Sequence, residues 1–146
     1  MSKHIIRHPD DIDHLFSVSE SRLMLDSKIA GEPCINVNHV TVLAGMCNAK
    51  LAEDGTPYGP KHEKAEIYVV ISGQADVYVE DEKIPMRQGS LLYIRGGQAH
   101  YVDNTESDVP FCFLTLWPNE EDNDVWHIRK RRWGENYNLQ DPKHTP

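Results

Sequence analysis

Gly89-Ser90-Leu91-Leu92-Tyr93-Ile94-Arg95-Gly96-Gly97-Gln98-Ala99-His100-Tyr101-Val102-Asp103-Asn104 is the stretch on which the reading of this chain turns. An apolar run, Leu91 to Ile94, enters a double-glycine turn and leaves it close to a histidine. Short apolar runs punctuated by glycine are what strands joined by tight turns look like in sequence. Upstream, Lys61-His62-Glu63-Lys64-Ala65-Glu66 leads into Ile67-Tyr68-Val69-Val70-Ile71 and closes at Gly73. That continuous β-branched and aromatic run favours strand over helix. On a helix, His62 and Glu66 would be no more than a surface pair, and the segment lacks the second histidine of an H-E-x-x-H zinc protease. On short strands, His62, Glu66 and His100 are two imidazoles and a carboxylate, a donor set that suits a divalent metal with open coordination positions.

Outward from these two segments the texture stays β. Ile35 to Met46, Val77-Tyr78-Val79 and Phe111 to Trp117 are further strand-like runs. Asp54-Gly55-Thr56-Pro57, Glu80-Asp81-Glu82 and Asp103-Asn104 supply turn chemistry between them. Short strands at this spacing predict an all-β sandwich or barrel over residues 35–117. Residues 1–34 read as an N-terminal arm, in which Pro9-Asp10-Asp11 opens a short helix through His14, Leu15 and Phe16. Residues 118–146 form a C-terminal tail whose Trp126, Ile128 and Trp133 carry too much apolar surface to stay in water. The tail is expected to pack on the barrel or on a second copy, which favours a homodimer.

The bulk numbers narrow the function. At 146 residues the chain fits one domain that can bury a core without disulfides. The formal net charge of −8 argues against a nucleic-acid binder, which needs excess basic residues to neutralise phosphates. The basic cluster Arg129-Lys130-Arg131-Arg132 directly follows the acidic run Glu120-Glu121-Asp122-Asn123-Asp124, a pairing expected of a self-complementing solvated surface. Cys34, Cys47 and Cys112 are scattered and odd in number, so they read as free thiols in a reducing compartment. No apolar run approaches the roughly 20 residues of a membrane span, and Ile5-Ile6 is too short for a signal-peptide core. The expectation is a cytoplasmic protein with a small-molecule partner, not a nucleic acid or a membrane.

Together the two segments resemble the motifs of the cupin superfamily, small β-barrels of the jelly-roll class. The family's second motif is matched by Gly89, Gly97, His100 and Asn104, with Arg95 where a proline usually stands. The end of its first motif is matched by His62, Glu66 and Gly73, and the 15 residues between Gly73 and Gly89 fit the short spacing of compact members. The chain departs from the pattern at Pro60, which stands where the family places a further metal-binding histidine. The resemblance therefore implies a cupin-type jelly-roll β-barrel whose metal is held by His62, Glu66 and His100, with one vertex open or closed by Tyr58 or a water.

The resemblance implies two classes of function. One is a metal-dependent enzyme acting on a small organic acid or sugar-like substrate, by isomerase, decarboxylase, lyase or dioxygenase chemistry. Tyr58 and Tyr68 are then the candidate catalytic groups, with manganese or iron as the ion and nickel or zinc as substitutes. Oxalate-degrading and sugar-isomerising cupins best match the His-x-x-x-Glu end. The alternative is a non-catalytic, metal-bearing module that binds or senses a small ligand. Among secondary candidates, His39 is a possible lining residue, and Asn48 or Lys50 could hydrogen-bond an anionic substrate.

Overall fold

Along Phe111-Cys112-Phe113-Leu114-Thr115-Leu116-Trp117 every odd-numbered residue is buried and every even one half-buried. Successive side chains of a strand leave opposite faces of the pleat, so this alternation marks one face turned to a core and the other left at the surface. The computed structural model describes residues 4–12, 14–16 and 19–118. Among them, strands follow in the order β1 (Leu15–Phe16), β2 (Glu20–Leu25), β3 (Asn36–Val42), β4 (Lys50–Leu51), β5 (Pro57–Tyr58) and β6 (Glu66–Ser72). They continue with β7 (Gln74–Val79), β8 (Glu82–Arg87), β9 (Leu91–Ile94), β10 (His100–Asp103) and β11 (Phe111–Trp117). One helical turn, α1 (Ser27–Ala30), is capped by the Asp26 side chain accepting from Ile29 N and stopped by Gly31 in the left-handed region.

Six strands make the larger sheet in the order β1-β2-β3-β11-β6-β9, and three make the smaller one in the order β10-β7-β8. All their pairings are antiparallel. The two sheets enclose a core of Val40, Val42, Tyr68, Val70, Val77, Val79, Met86, Ile94, Val102, Phe111 and Phe113. The result is the jelly-roll sandwich expected from the sequence. Its interior changes character along its length. Across β3 and β11 the inward pairs run Val42 with Phe111, Val40 with Phe113, Asn38 with Thr115 and Asn36 with Trp117. One end of the sandwich is a sealed apolar core, and the other is polar.

Four local features differ from the sequence reading. The helix expected from Pro9 ends as a single 3-10 turn at Asp11, because Ile12 is already extended. Leu15–Phe16 instead pairs with β2, and β2 with β3, so part of the segment read as an N-terminal arm extends the larger sheet. Strand β8 did not stand out in sequence because Glu82, Lys83, Pro85 and Arg87 dilute its pattern. It lies at the edge of the smaller sheet, where a proline costs no ladder hydrogen bond. Asn104, read as turn chemistry, is 1% exposed. Its amide Nδ2 lies 3.2, 3.3 and 2.9 Å from the carbonyls of Val42, Leu43 and Val109, tying the end of β3 to the loop before β11.

The tail readings, including Trp126, Ile128, Trp133 and the charged runs, lie outside the described residues. Cys34, Cys47 and Cys112 are only partly buried. No helix among the described residues is long and apolar enough to cross a membrane.

Candidate metal centre

The polar end of the sandwich is closed by the segment 59–65, which links β5 to β6 and crosses over the start of β10. Two backbone bonds fix that crossing: His100 N donates to Pro60 O at 3.1 Å, and Gly97 N donates to His62 O at 2.8 Å. Gly59 makes the approach feasible, since a Cβ there would overlap the His100 carbonyl. The crossing carries His62 over to His100, although the two are far apart in sequence. Glu66 begins β6 opposite Ile94 and, like Tyr68 and Val70, faces inward as its parity predicts.

The three side chains converge. Glu66 Oε2 lies 3.0 Å from His62 Nε2 and 3.0 Å from His100 Nε2. All three residues are buried, at 8%, 3% and 4% exposure for His62, Glu66 and His100, so bulk water does not screen them. Each imidazole is aimed by its own backbone. His62 Nδ1 meets Lys64 O at 2.8 Å, and His100 Nδ1 meets Gln98 O at 2.9 Å. A carbonyl oxygen only accepts, so both Nδ1 atoms must carry the proton. In a neutral imidazole that leaves each Nε2 with a bare lone pair, directed at a carboxylate oxygen. Lone pairs in that arrangement repel unless a cation lies among them. Protons on the rings can serve, and so can a metal.

A divalent metal therefore fits the chemistry of this donor set. The carbonyl-bound Nδ1–H is the partner that metal-ligating histidines use to fix ring orientation. His62, Glu66 and His100 are the only group of three or more His, Cys, Asp or Glu among the described residues with donor atoms mutually within 4.8 Å. Burial alone would raise the Glu66 pKa, but hydrogen bonds from His100 and His62 outweigh it and hold the carboxyl below its ordinary value. Glu66 is thus kept as a carboxylate, the form a metal needs.

The triad opens into a cavity of about 200 Å³ lined by Ser19, Val40, Asn48, Lys50, Pro60, His62, Glu66, Tyr68, His100, Phe113, Thr115 and Trp117. Tyr68 packs on Phe113 at 4.5 Å between ring centroids and sets its edge toward His100 at 6.0 Å. Burial, and then the charge of Glu66, push its phenol well above the ordinary tyrosine value, so it stays protonated. The Trp117 ring meets His62 edge-on at 5.3 Å. Asn48 Oδ1 accepts from Val102 N at 2.7 Å, which brackets β10 and leaves the Nδ2 donors of this lining residue for a ligand.

Two candidates fall elsewhere. Tyr58 pairs with Lys50 in the β4–β5 ribbon, is 46% exposed and is not among the lining residues. His39 sits between Asn38 and Val40 in sequence and so leaves the opposite face of β3, between Arg22 and Leu114. Pro60 does line the cavity, in the position where a further ligand was expected. Thr115 and Trp117 went unnoticed in the sequence, although their parity with Phe111 and Phe113 places them inward.

A family model for the cupin domain matches residues 50–117. Over 79 residues the chain is 32% identical to a glucose-6-phosphate isomerase of Pyrococcus abyssi, an alignment covering 51% of this chain and 41% of that protein. The chain thus spans about two fifths of the length of that curated relative. Among solved structures, a Cupin 2 conserved barrel domain protein from Salinispora arenicola superposes with a TM-score of 0.63 at 17% identity, covering 88% of this chain and 99% of that one. An oxalate decarboxylase of Lactobacillus farciminis, solved as its formate complex, superposes with a TM-score of 0.61 at 21% identity, over 77% of this chain and 32% of that one. Residues 50–117, which match the cupin-domain family model, supply every strand of the sandwich after β3 and carry His62, Glu66 and His100 in its polar end, and the chain shares its fold with cupin-domain structures.

Proposed function

We propose that this protein is a metal-dependent enzyme acting on a small organic acid or sugar-like substrate, with His62, Glu66 and His100 as the metal ligands. Manganese or iron is the ion we assign to the cell, and nickel or zinc would fit the same imidazole and carboxylate donors. The observation that carries the proposal is the placement of Tyr68 in the same cavity as the triad. A buried phenol at the wall of that cavity places a hydroxyl donor beside any substrate oxygen held there, which a module built only for metal binding does not require. The cavity, at about 200 Å³, is below the roughly 300 Å³ at which pockets for drug-sized ligands begin, so a substrate of a few carbons is the fit.

When bound, the metal would act as a Lewis acid that polarises a substrate oxygen and orients it. The chain's own residues do the rest. Glu66 and the two carbonyl-aimed imidazoles hold the donor set rigid, Trp117 and Phe113 exclude water, and Tyr68 holds a proton at Oη for delivery or return. The absence of a ligand at Pro60 leaves room for a small acid to approach through two oxygens. The similarity to a glucose-6-phosphate isomerase supports sugar-like substrates, and the fold shared with an oxalate decarboxylase supports small acids. The test is metal analysis of the native protein, followed by a metal-dependent screen of small keto acids, hydroxy acids and sugars. Turnover lost on chelation and restored by manganese or iron is expected. Tight binding of such molecules with no turnover under any metal would replace the enzyme with the ligand-binding module.

We propose further that the protein works as a homodimer. Tyr93 pairs with Ile67 and Leu91 with Val69 on the outer face of the larger sheet. Leu91, Tyr93 and Ile71 there are 64%, 51% and 40% exposed, an apolar surface suited to cover by a second copy. Light scattering at micromolar concentration should give twice the chain mass of 16.7 kDa. A monomer mass would refute it.

A further inference from the structure

One inward hydroxyl in the metal cavity has no hydrogen-bond partner among the described residues. Thr115 lies between Asn38 of β3 and Tyr68 of β6 in the pairing register and is 4% exposed. It lines the cavity with the triad, and among the described residues nothing pairs with its Oγ1. A hydroxyl removed from water and left unpaired is unfavourable, so such a group at a cavity wall points to something inside the cavity that pairs with it.

A second lining residue is uncommitted in a different way. Lys50, on β4, is an exposed residue of the same cavity, which places it at the mouth. It takes part in none of the ion pairs among the described residues. The chain as a whole is strongly acidic, at −8, so an unpaired ammonium at the opening of a buried site is a local reversal of sign. Such a charge attracts anions into the opening.

Building on the reading of the triad as a metal centre, we propose that Thr115 and Lys50 form a second recognition element that selects a small hydroxylated anion. Thr115 Oγ1 pairs with a hydroxyl or carbonyl oxygen of the ligand deep in the cavity. Lys50 receives its carboxylate or phosphate group at the mouth. The triad then holds the ligand through the metal, and the two groups fix which end enters first. A site built to hydrogen-bond a ligand oxygen discriminates strongly against the analogue that lacks it, because the site's own group is left unpaired.

The test uses metal-loaded full-length protein: wild type, Thr115→Val, Thr115→Ser, Lys50→Met and, as a charge control outside the cavity, Lys28→Met. Each is titrated with L-malate, succinate and glycerol 3-phosphate, read by tryptophan fluorescence, with metal content measured separately. Thr115→Val should weaken L-malate about tenfold and succinate less than about twofold, while Thr115→Ser retains most of the affinity. Lys50→Met should weaken L-malate and glycerol 3-phosphate about three- to tenfold at low salt and less at high salt, whereas Lys28→Met changes nothing. The tighter of L-malate and glycerol 3-phosphate identifies the anionic group as carboxylate or phosphate. Unchanged affinities in Thr115→Val and Lys50→Met, with metal retained, overturn this inference and leave the metal centre standing. A wild type that takes up no metal overturns both.

Discussion

His100→Ala should strip the protein of most of its divalent metal and remove catalysis with it. In the proposed metal centre His100 is one of three ligands among the described residues, and its loss leaves Glu66 and His62 as a two-donor site that holds an ion weakly. The carboxylate of Glu66, 3% exposed, would also lose one of the two imidazoles that now offset its burial. Metal content after gel filtration should fall to a small fraction of the wild-type value, and metal-dependent turnover should drop by about three orders of magnitude or more. The fold should survive, since the His100 side chain belongs to the polar end of the sandwich and takes no part in the apolar cluster. Full metal retention in a folded variant would show that the ion lies elsewhere.

Tyr68→Phe should separate chemistry from metal binding. The substitution deletes one oxygen and keeps the ring that packs on Phe113. If Tyr68 moves a proton, kcat should fall by about 10²-fold or more while KM and metal content stay near wild type. The phenol's raised pKa also fixes the sign of its pH dependence: Tyr68 is protonated throughout the neutral range, so it adds no limb to the rate profile there. An equal rise in KM with kcat unchanged would reduce Tyr68 to a group that only binds substrate.

The second segment, from Gly89 to Asn104, already specified a turn and a histidine at a strand's start. The pattern survived translation into structure because its residues are close in sequence and the turn is local. Glu66, Tyr68 and Val70 were likewise placed by parity alone, since β6 runs regularly through them. What the sequence did not place depended on pairing at long range. Tyr58 and Pro60 share a parity, but the chain between β5 and β6 is not a strand, so alternation stops carrying information there. His39 could not be assigned to a face until the register of β3 against β11 was known. Thr115 was hidden for a different reason. In Phe-Cys-Phe-Leu-Thr-Leu-Trp a single threonine reads as ordinary strand composition; its parity turns it inward, and its opposition to Asn38 and Tyr68 puts it at the polar end.

The change of character along β3 and β11 has a bearing on how such a protein can diverge. The inward positions grade from one task to the other: Val42 and Phe111 only seal the core, Val40 and Phe113 belong to the core and also line the cavity, and Thr115 and Trp117 line the cavity alone. Because neighbouring inward positions are two residues apart, a single strand passes from one task to the other over successive inward positions. Variation confined to the positions that line the cavity alone should yield descendants with new ligands on an unaltered scaffold. A library randomised at position 115 should accordingly keep a far larger share of folded members than one randomised at 111, where truncating a buried phenylalanine costs about 3–5 kcal/mol.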